Sequence, residues 1–245
     1  MVHYIIPLYN KSADIIENIK TLNLFLKNHL NGEYEIILCD DGSTDDTLAL
    51  ANKCKDSIAC VRVVGYKENK GRGHAVKFAG NNCRGDYIIY IDLDFSKTTK
   101  LDKLIEMIEY LHDNDIVIGS RFLPDSDIKR FPFRRFVSSV YRCLVKLILP
   151  ELKINDIDVG FKGFRTACFK EINSFSKFER WSWDLEFLTI ARLKGMKIKE
   201  FPIDWNERYD GYASVVHIFK DSFEELCGIV SMRLRSLRFR NKLRI

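Results

Sequence analysis

Short apolar runs alternate with longer amphipathic segments along the first half of the chain. The segments between the runs repeat apolar residues every three or four positions, as Ile15, Ile19, Leu22 and Leu26 do, which predicts helices. The runs themselves are rich in β-branched and aromatic residues, and we predict that each is a strand: 2–8, 34–40, 60–66, 86–92 and 115–121. Continuously apolar strands separated by helices predict an α/β fold with a mostly parallel sheet covered on both faces.

The second half of the chain is less regular and ends in an amphipathic segment. A stretch dense in apolar residues predicts a helix at 134–149. Further predicted elements are strands at 158–165 and 196–203 and a helix at 183–195. An apolar stripe from Phe223 to Leu237 predicts a C-terminal helix. We therefore divide the chain into one α/β domain, 1–216, and a basic amphipathic helical segment, 217–245.

Acidic residues follow two of the predicted strands at the point where each strand ends. Asp92 and Asp94 follow the fourth strand, and Asp40 and Asp41 end the second. Ligands of parallel sheets bind beyond the carboxyl ends of the strands, and residues two apart in an extended chain face the same side. Asp92 and Asp94 can therefore share one Mg²⁺ or Mn²⁺ ion, or one can hold the ion while the other contacts a ribose. Solvated loop acids or helix caps are the alternative interpretation.

A basic, glycine-containing segment at 69–80 precedes a predicted helix. It places Lys70 and Arg72 beside two glycines. Glycine lets the backbone approach a ligand closely, and a helix N-terminus attracts phosphate. The segment matches neither the Walker A nor the dinucleotide-binding glycine pattern. It indicates a phosphate-binding loop, with a basic surface turn as the alternative.

Composition and charge narrow the class of protein. The chain has 245 residues, 46% of them hydrophobic and 30% charged. No apolar run approaches the ~20 residues that span a bilayer, and we see no signal peptide. Seven scattered cysteines without a C-x-x-C pair argue against a disulfide framework or zinc site and favour a reduced, cytosolic compartment. The net charge is +5, and only basic charges follow Glu225, which predicts affinity for phosphates: Arg233, Arg235, Arg238, Arg240, Lys242 and Arg244.

Several motifs occur in the order seen in glycosyltransferase family 2. They are IIPLYN, CDDGSTDDT, NKGRGHAV, DLD, GSRF, DIDVGFKGFR and RWSWDLEFL, and the resemblance covers roughly residues 2–216. The set most resembles the polyprenyl-phosphate sugar synthases, above all the dolichyl-phosphate glucosyltransferase branch. The chain departs from the family pattern at Ile157, Asp158 and Val159, where the family often shows threonine, glutamine and cysteine.

The resemblance implies a GT-A fold, which is a Rossmann-like, mostly parallel sheet flanked by helices, here with amphipathic C-terminal helices. It also implies Mg²⁺ or Mn²⁺ as cofactor, held with the sugar nucleotide by Asp92 and Asp94. The remaining nucleotide-sugar contacts that we expect are Pro7, Tyr9 and Asp40 or Asp41 for the nucleobase and ribose, and Lys70 and Arg208 for the diphosphate.

A second group of motif positions is expected to contact the acceptor. Arg121, in GSRF, is expected to meet the acceptor phosphate, with Arg135 and Ser139 as helpers. A phosphate monoester is already an anion at neutral pH, because its second pKa is about 6, and it requires no strong base. A sugar hydroxyl would require a carboxylate base, for which Asp184 and Glu186 are the candidates.

These features together predict an inverting transfer of glucose or mannose from UDP-glucose or GDP-mannose to a polyprenyl phosphate of the dolichyl type. The enzyme is expected to act at the cytosolic face of a membrane. A family 2 transferase that extends a saccharide is one alternative, and a catalytically idle nucleotide- or membrane-binding module is another. The two apolar helical segments are expected to contact the membrane surface or a second subunit. The sequence shows no base-stacking pattern, which argues against a nucleic-acid partner.

Overall fold

The computed structural model describes residues 1–30, 33–129, 132–206 and 218–243. These ranges contain nine strands: β1 (Val2–Leu8), β2 (Tyr34–Asp41), β3 (Val61–Tyr66), β4 (Tyr87–Ile91), β5 (Ile116–Ser120), β6 (Ile128–Lys129), β7 (Phe161–Arg165), β8 (Ile198–Pro202) and β9 (Trp205–Asn206). They also contain nine helices: α1 (Ile15–His29), α2 (Thr47–Ser57), α3 (Arg72–Asn81), α4 (Phe95–Thr98), α5 (Asp102–Leu111), α6 (Pro132–Ile148), α7 (Thr166–Phe175), α8 (Trp183–Leu193) and α9 (Ile218–Leu243).

Seven of the strands form one twisted layer, in the order β3-β2-β1-β4-β7-β5-β8. β7 runs antiparallel to both of its neighbours, and the other pairs in this sheet are parallel. β6 and β9 pair separately as a short two-stranded sheet. The predicted α/β fold with a mostly parallel sheet is confirmed.

The central strands are apolar along their whole length because both faces of the sheet are covered. Ile5 and Ile6 point to opposite faces of β1, and neither is more than 1% exposed. Helix α3 packs against β1 and β2, and α5 packs against β5 and β7. Burial of one such side chain contributes roughly 1.5–3 kcal/mol, so the sheet is held chiefly by these contacts.

β7 begins beside the carboxyl end of β4. Its first residue, Phe161, pairs with Ile91, the last residue of β4. Just beyond this pair, the backbone N–H of Asp92 donates to the Gly160 carbonyl at 3.1 Å. The segment before β7 is therefore brought against the acids that follow β4.

The predicted amphipathic C-terminal helix is present as α9 and packs on α8 and α6. Ile229 and Met232 of α9 are buried, and Arg235 donates to the buried carboxylate of Glu186. The division that we drew at residue 216 falls outside the described residues and stays a prediction. In the part of the chain that the structure describes, no helix has the length and apolar character that crossing a membrane requires.

Candidate active site

The two acidic pairs lie at the same edge of the sheet, on either side of the end of β1. β1 lies between β2, which ends in Asp41, and β4, which precedes Asp92. Pro7 and Tyr9, at the end of β1, are partly exposed between the pairs. The strand order therefore brings together the residues expected for the base, the ribose and the metal.

Asp92 is held in place by the strand that carries it and by the segment before β7. The Tyr90 hydroxyl donates to Asp92 Oδ1 at 3.0 Å. Gly160 packs directly against the same carboxylate, and a Cβ at position 160 would clash with its Cγ and both oxygens. Asp92 as a residue remains partly exposed. The glycine is needed here because of this close approach rather than because of a turn.

Asp94 lies in the turn that leads from β4 into α4. Its carbonyl accepts hydrogen bonds from the backbone N–H groups of Lys97 and Thr98, at 2.9 and 3.2 Å, and its side chain is partly exposed. Among the described residues, no cluster of three or more His, Cys, Asp or Glu side chains could hold a metal ion by itself. A cation at Asp92 and Asp94 would therefore need further oxygen ligands from a phosphate or water, as is common for Mg²⁺.

Asp40 and Asp41 have different environments. The Asp41 carboxylate accepts hydrogen bonds from the Tyr66 hydroxyl (2.8 Å), the Asn69 side-chain amide (3.0 Å) and the backbone N–H groups of Lys70 and Gly71 (2.8 and 2.9 Å). Asp41 therefore fixes the 69–71 loop. Among the described residues, Asp40 accepts a hydrogen bond from the Ser43 N–H at 3.2 Å, and its buried Oδ1 has no partner there. Of the two expected base-binding acids, Asp40 is the one with an open acceptor atom.

Two cationic side chains lie where the loop enters α3: Lys70 precedes the helix and Arg72 is its first residue. Lys70 is exposed, and its Nζ lies 5.7 Å from the centroid of the Tyr66 ring. Arg72 turns inward, with its guanidinium 4.9 Å from the Trp181 ring. The backbone N–H of His74, in the first turn of α3, donates to the Glu179 carbonyl at 2.7 Å. The helix N-terminus is thus partly covered by protein.

Arg72 and Lys162 enclose the carboxylate of Asp184. The ion-pair distances are 2.6 Å from Arg72 Nη2 and 2.7 Å from Lys162 Nζ, and the Asp184 side chain is 0% exposed. Burial opposes the positive charge of Arg72, but Tyr90, Asp184 and other nearby acids outweigh it and raise the pKa of Arg72. Asp184 is thus a buried counter-ion of two cations.

The other base candidate, Glu186, is also fully buried. It accepts hydrogen bonds from Ser176 Oγ (2.7 Å) and from the backbone N–H groups of Lys177 and Phe178 (2.8 and 2.7 Å), and it pairs with Arg235 of α9. These contacts tie the segment before α8 and the C-terminal helix to α8.

Asp158 lies near the Asp184 network. Burial and the negative charge of Asp184 raise the pKa of the Asp158 carboxyl to about 7, against the opposing charges of Lys162 and Arg72. An acid of this pKa changes charge near neutral pH, which glutamine at the same position would not do.

Arg121 is fixed by a two-pronged ion pair with Asp156. Its Nε and Nη2 lie 2.8 Å from the two carboxylate oxygens, and its backbone N–H donates to the same carboxylate at 2.8 Å. Burial opposes both charges, but the pair stabilises them, so the pKa of Arg121 is raised and that of Asp156 is lowered. The Arg121 guanidinium also lies 5.1 Å from the Trp205 ring. Nη1 is the one guanidinium nitrogen of Arg121 that takes no part in this ion pair with Asp156.

The predicted acceptor helpers lie on α6. Arg135 and Ser139 are exposed and one helical turn apart, and the Ser139 hydroxyl donates to the Arg135 carbonyl at 2.8 Å. No described contact joins either of them to Arg121. Arg208 lies outside the described residues, so its expected role stays a prediction.

Sequence reasoning did not single out three residues that the structure brings to the site: Tyr90, Gly160 and Arg142. Tyr90 donates to Asp92, and Gly160 makes room for it. Arg142 stacks on Phe122, which follows Arg121 in the chain. The alternation of side chains along β4 could have indicated Tyr90, because it lies two residues before Asp92. Nothing local in the sequence indicates the other two contacts.

Comparison with known families identifies the class of protein. The Glycosyl transferase family 2 profile matches residues 4–173, from β1 into α7. The chain therefore belongs to glycosyltransferase family 2, and it is a glycosyltransferase with the GT-A fold that the motif order implied.

Two similar proteins of known name cover nearly all of this chain. The Dolichyl-phosphate beta-glucosyltransferase of Saccharomyces cerevisiae is 31% identical over 251 residues, which are 95% of this chain and 74% of the yeast protein. Glycosyltransferase AglD of Haloferax volcanii is 29% identical over 238 residues, which are 96% of this chain and 36% of AglD. The chain thus spans only a minor part of AglD and most of the yeast protein.

Solved structures share the fold at lower identity. Glucosyl-3-phosphoglycerate synthase from Mycobacterium tuberculosis in complex with UDP has a TM-score of 0.73 and 18% identity, over 95% of this chain and 80% of that one. The same enzyme in complex with Mn²⁺, UDP-glucose and phosphoglyceric acid has a TM-score of 0.68 and 16% identity, over 95% of this chain and 79% of that one. The likeness establishes a shared fold.

Proposed function

We propose that this chain transfers glucose from UDP-glucose to a polyprenyl phosphate of the dolichyl type, with inversion at the anomeric carbon. The observation that carries the proposal is the 31% identity to the yeast Dolichyl-phosphate beta-glucosyltransferase over 95% of the chain. The homologous enzyme of the same name in Dictyostelium discoideum is 32% identical over 95% of the chain. Of the two predicted sugars, these names favour glucose over mannose.

On the donor side, the open oxygen of Asp40 supports recognition of a nucleobase. A buried carboxylate oxygen without a partner is costly, and a base N–H that donates to it would remove that cost. We assign the base and ribose contacts to Pro7, on β1 beside β2, and to Tyr9, which follows the end of β1. We assign the diphosphate contact to Lys70, which is exposed at the neighbouring loop.

The residues at the end of β4 fit a divalent metal. Asp92 and Asp94 offer hard oxygen ligands at a partly exposed rim, the donor set that Mg²⁺ and Mn²⁺ prefer. A bound ion would supply positive charge against the nucleoside diphosphate as it leaves. Solved neighbours of the same fold hold Mn²⁺ together with UDP-glucose. Asp94→Ala is expected to abolish metal-dependent turnover, and unchanged turnover would remove this assignment.

On the acceptor side, the chain's own residues favour a phosphate over a hydroxyl nucleophile. Asp184 and Glu186 are fully buried and occupied by hydrogen bonds and ion pairs, so neither is placed to take a proton from a sugar hydroxyl. A phosphate monoester needs no such base, because it is ionised at neutral pH. Its oxygen attacks the anomeric carbon from the face opposite the nucleotide, and the bond to the nucleoside diphosphate breaks.

One observation favours a second candidate function, transfer to a sugar hydroxyl. The pKa of Asp158 is raised to about 7 by burial and by Asp184, which suits a general base at neutral pH. Asp158→Asn distinguishes the two functions. It is expected to leave transfer to a lipid phosphate within a few-fold of wild type, whereas a chain that transfers to a sugar hydroxyl would lose most of that turnover in the variant.

The exposed apolar faces of α6 and α9 support action at a membrane surface. Both helices, which pack on each other, leave large apolar side chains in solvent: Phe133, Phe136, Val140 and Leu147 on α6, and Leu226, Val230, Leu234 and Leu237 on α9. Two of the six C-terminal basic residues, Arg233 and Arg235, pair with Glu151 and Glu186. The sequence has four further basic residues within 238–244, and basic residues near a membrane surface attract anionic headgroups by about 1 kcal/mol each.

Membrane binding by the exposed apolar face of α6 and α9 can be tested without disturbing the fold. Val230→Ser combined with Leu234→Ser removes two side chains that are 50% and 57% exposed, and Leu24→Ser on α1, at 62%, is the matched control. The double variant is expected to sediment less with phosphatidylserine vesicles, while the control binds as wild type does. Unchanged sedimentation would contradict the membrane assignment, and a loss of self-association in the double variant would instead assign the face to a second copy of the chain.

The location is expected to be the cytosolic side of a membrane. All seven cysteines are free thiols, which supports a reducing compartment.

The decisive assay supplies vesicles containing dolichyl phosphate with labelled UDP-glucose or GDP-mannose in separate reactions. The expected result is an organic-soluble, acid-labile glucose product from UDP-glucose and none when dolichol replaces its phosphate. No lipid-linked product from either donor would contradict the proposal.

A further inference from the structure

Helix α6 carries an arginine beside Arg121 that the sequence motifs do not mark. The Arg142 guanidinium carbon lies 3.8 Å from the centroid of the Phe122 ring. Phe122 follows Arg121 directly, and the Arg121 guanidinium carbon lies 5.8 Å from the same ring. Two cations from different elements are therefore gathered at one aromatic side chain.

The charges of the two arginines are balanced differently. Arg121 is neutralised by its fork with Asp156. Arg142 has no carboxylate partner among the described residues, and its Nε is buried without a hydrogen-bond partner. A guanidinium donor taken out of water is costly unless an acceptor meets it. The unbalanced charge at this point of the structure therefore suits an anion.

The position of Arg142 on α6 connects the two halves of the expected acceptor site. Arg135, Ser139 and Arg142 are spaced at i, i+4 and i+7, so they follow one another along a single face of the helix. Arg135 and Ser139 are exposed, and Arg142 at the end of this row reaches Phe122. The row leads from the exposed part of α6, with its apolar side chains, to the loop that holds Arg121.

We propose that Arg142 binds the acceptor phosphate together with Arg121, an inference that rests on the proposed function. The phosphate carries up to two negative charges, while the Arg121–Asp156 pair is neutral overall. Arg142 supplies the additional positive charge, and stacking on Phe122 holds its planar donor group in a fixed orientation. The role is one of binding and orientation, because no proton has to be removed from this nucleophile.

The test compares Arg142→Gln, Arg142→Lys and a control on the same helix, Lys146→Gln, whose ammonium contacts only Asn155 among the described side chains. Initial rates are measured with UDP-glucose and citronellyl phosphate, a short soluble prenyl phosphate. We expect Arg142→Gln to raise the KM for citronellyl phosphate at least tenfold and the KM for UDP-glucose less than twofold. Arg142→Lys should fall between, because it keeps the charge but loses the planar stack, and Lys146→Gln should match wild type.

A wild-type KM for citronellyl phosphate in Arg142→Gln, or an equal rise in both KM values, would overturn the proposal. The unchanged KM for UDP-glucose also excludes general misfolding as the cause of a selective loss.

Failure of the proposed function has a separate signature, namely a wild-type chain that does not glucosylate citronellyl phosphate. In that case calorimetric titration with citronellyl phosphate still tests the anion site. Binding to wild type that Arg142→Gln weakens at least tenfold supports the site, and equal binding or no binding to either protein overturns it.

Discussion

Replacing Gly160 by alanine tests how closely the Asp92 carboxylate must be held for turnover. A Cβ at position 160 would lie nearer than 3 Å to all three heavy atoms of that carboxylate, and even the farthest, Oδ1, would be at 2.6 Å. Ordinary contact begins at 3.4 Å, so Oδ1 must retreat by about 0.8 Å and the other atoms by more. Such a movement would also break the 3.0 Å hydrogen bond from Tyr90.

The expected loss follows from this displacement. A misplacement of about 1 Å in a reacting group costs on the order of 10²-fold in rate, which corresponds to about 2.7 kcal/mol of activation free energy. We therefore expect Gly160→Ala to lower kcat/KM for UDP-glucose by at least that factor and to weaken Mn²⁺ binding measured in the presence of UDP.

Gly163→Ala is the matched control for Gly160→Ala. Position 163 lies three residues further on, within β7, and a Cβ there would approach the flexible ends of Leu111 and Met107, at 2.8 Å each, rather than a carboxylate. Both alanines carry a packing cost, but only the one at 160 displaces Asp92. The reasoning is refuted if folded Gly160→Ala keeps turnover within threefold of wild type, or if both variants lose activity to the same extent.

Three further predictions concern titratable side chains. Asp41→Asn is expected to lower the free energy of unfolding by at least about 2 kcal/mol, because it disturbs charge-assisted hydrogen bonds. Asp40→Asn, in contrast, should leave the Tm unchanged and raise the KM for UDP-glucose. Folding raises the pKa of Asp158 from 3.8 to about 7, so the folded state favours the protonated carboxyl. The stability that this preference contributes is fully present below pH 3.8 and is lost as the pH rises through 7. Asp158→Asn should therefore raise the Tm at pH 8, by a margin that shrinks toward pH 4. Burial lowers the pKa of His3 below 6.5 despite Glu35, so the wild-type Tm should fall as the pH drops below 6.5, and His3→Gln should reduce that fall.

Each of these has a clear contradictory outcome in thermal unfolding or steady-state kinetics. Equal Tm values for the variants at positions 40 and 41 would mean that the hydrogen bonds of Asp41 do not stabilise the loop. A Tm difference for Asp158→Asn that is constant from pH 8 to 4 would place the Asp158 pKa outside this range. A His3→Gln variant with the wild-type pH dependence would show that the imidazole, whose Nε2 accepts from the Arg84 and Gly85 N–H groups, is not the sensitive group.

Local sequence information accounts for much of the fold. The five strands of the first half and the long helices were predicted because apolar periodicity records how each segment is buried. The helix α7, the direction of β7, the helical turn α4 and the small β6–β9 sheet were not predicted. These depend on how distant segments meet, as when Gly160 accepts a hydrogen bond from Asp92.

The sequence by itself determined the family and the strand ends that carry acids, because each is written in short contiguous motifs. Only the tertiary structure decided which acid of a pair is hydrogen-bonded by its neighbours and which keeps an acceptor oxygen without a partner among the described residues, as with Asp41 and Asp40. It alone paired Asp184 with Arg72, 112 positions away in the chain. The physical reason is that a local pattern fixes burial and side-chain direction, whereas the partner of a buried charge is fixed by packing between elements far apart in sequence.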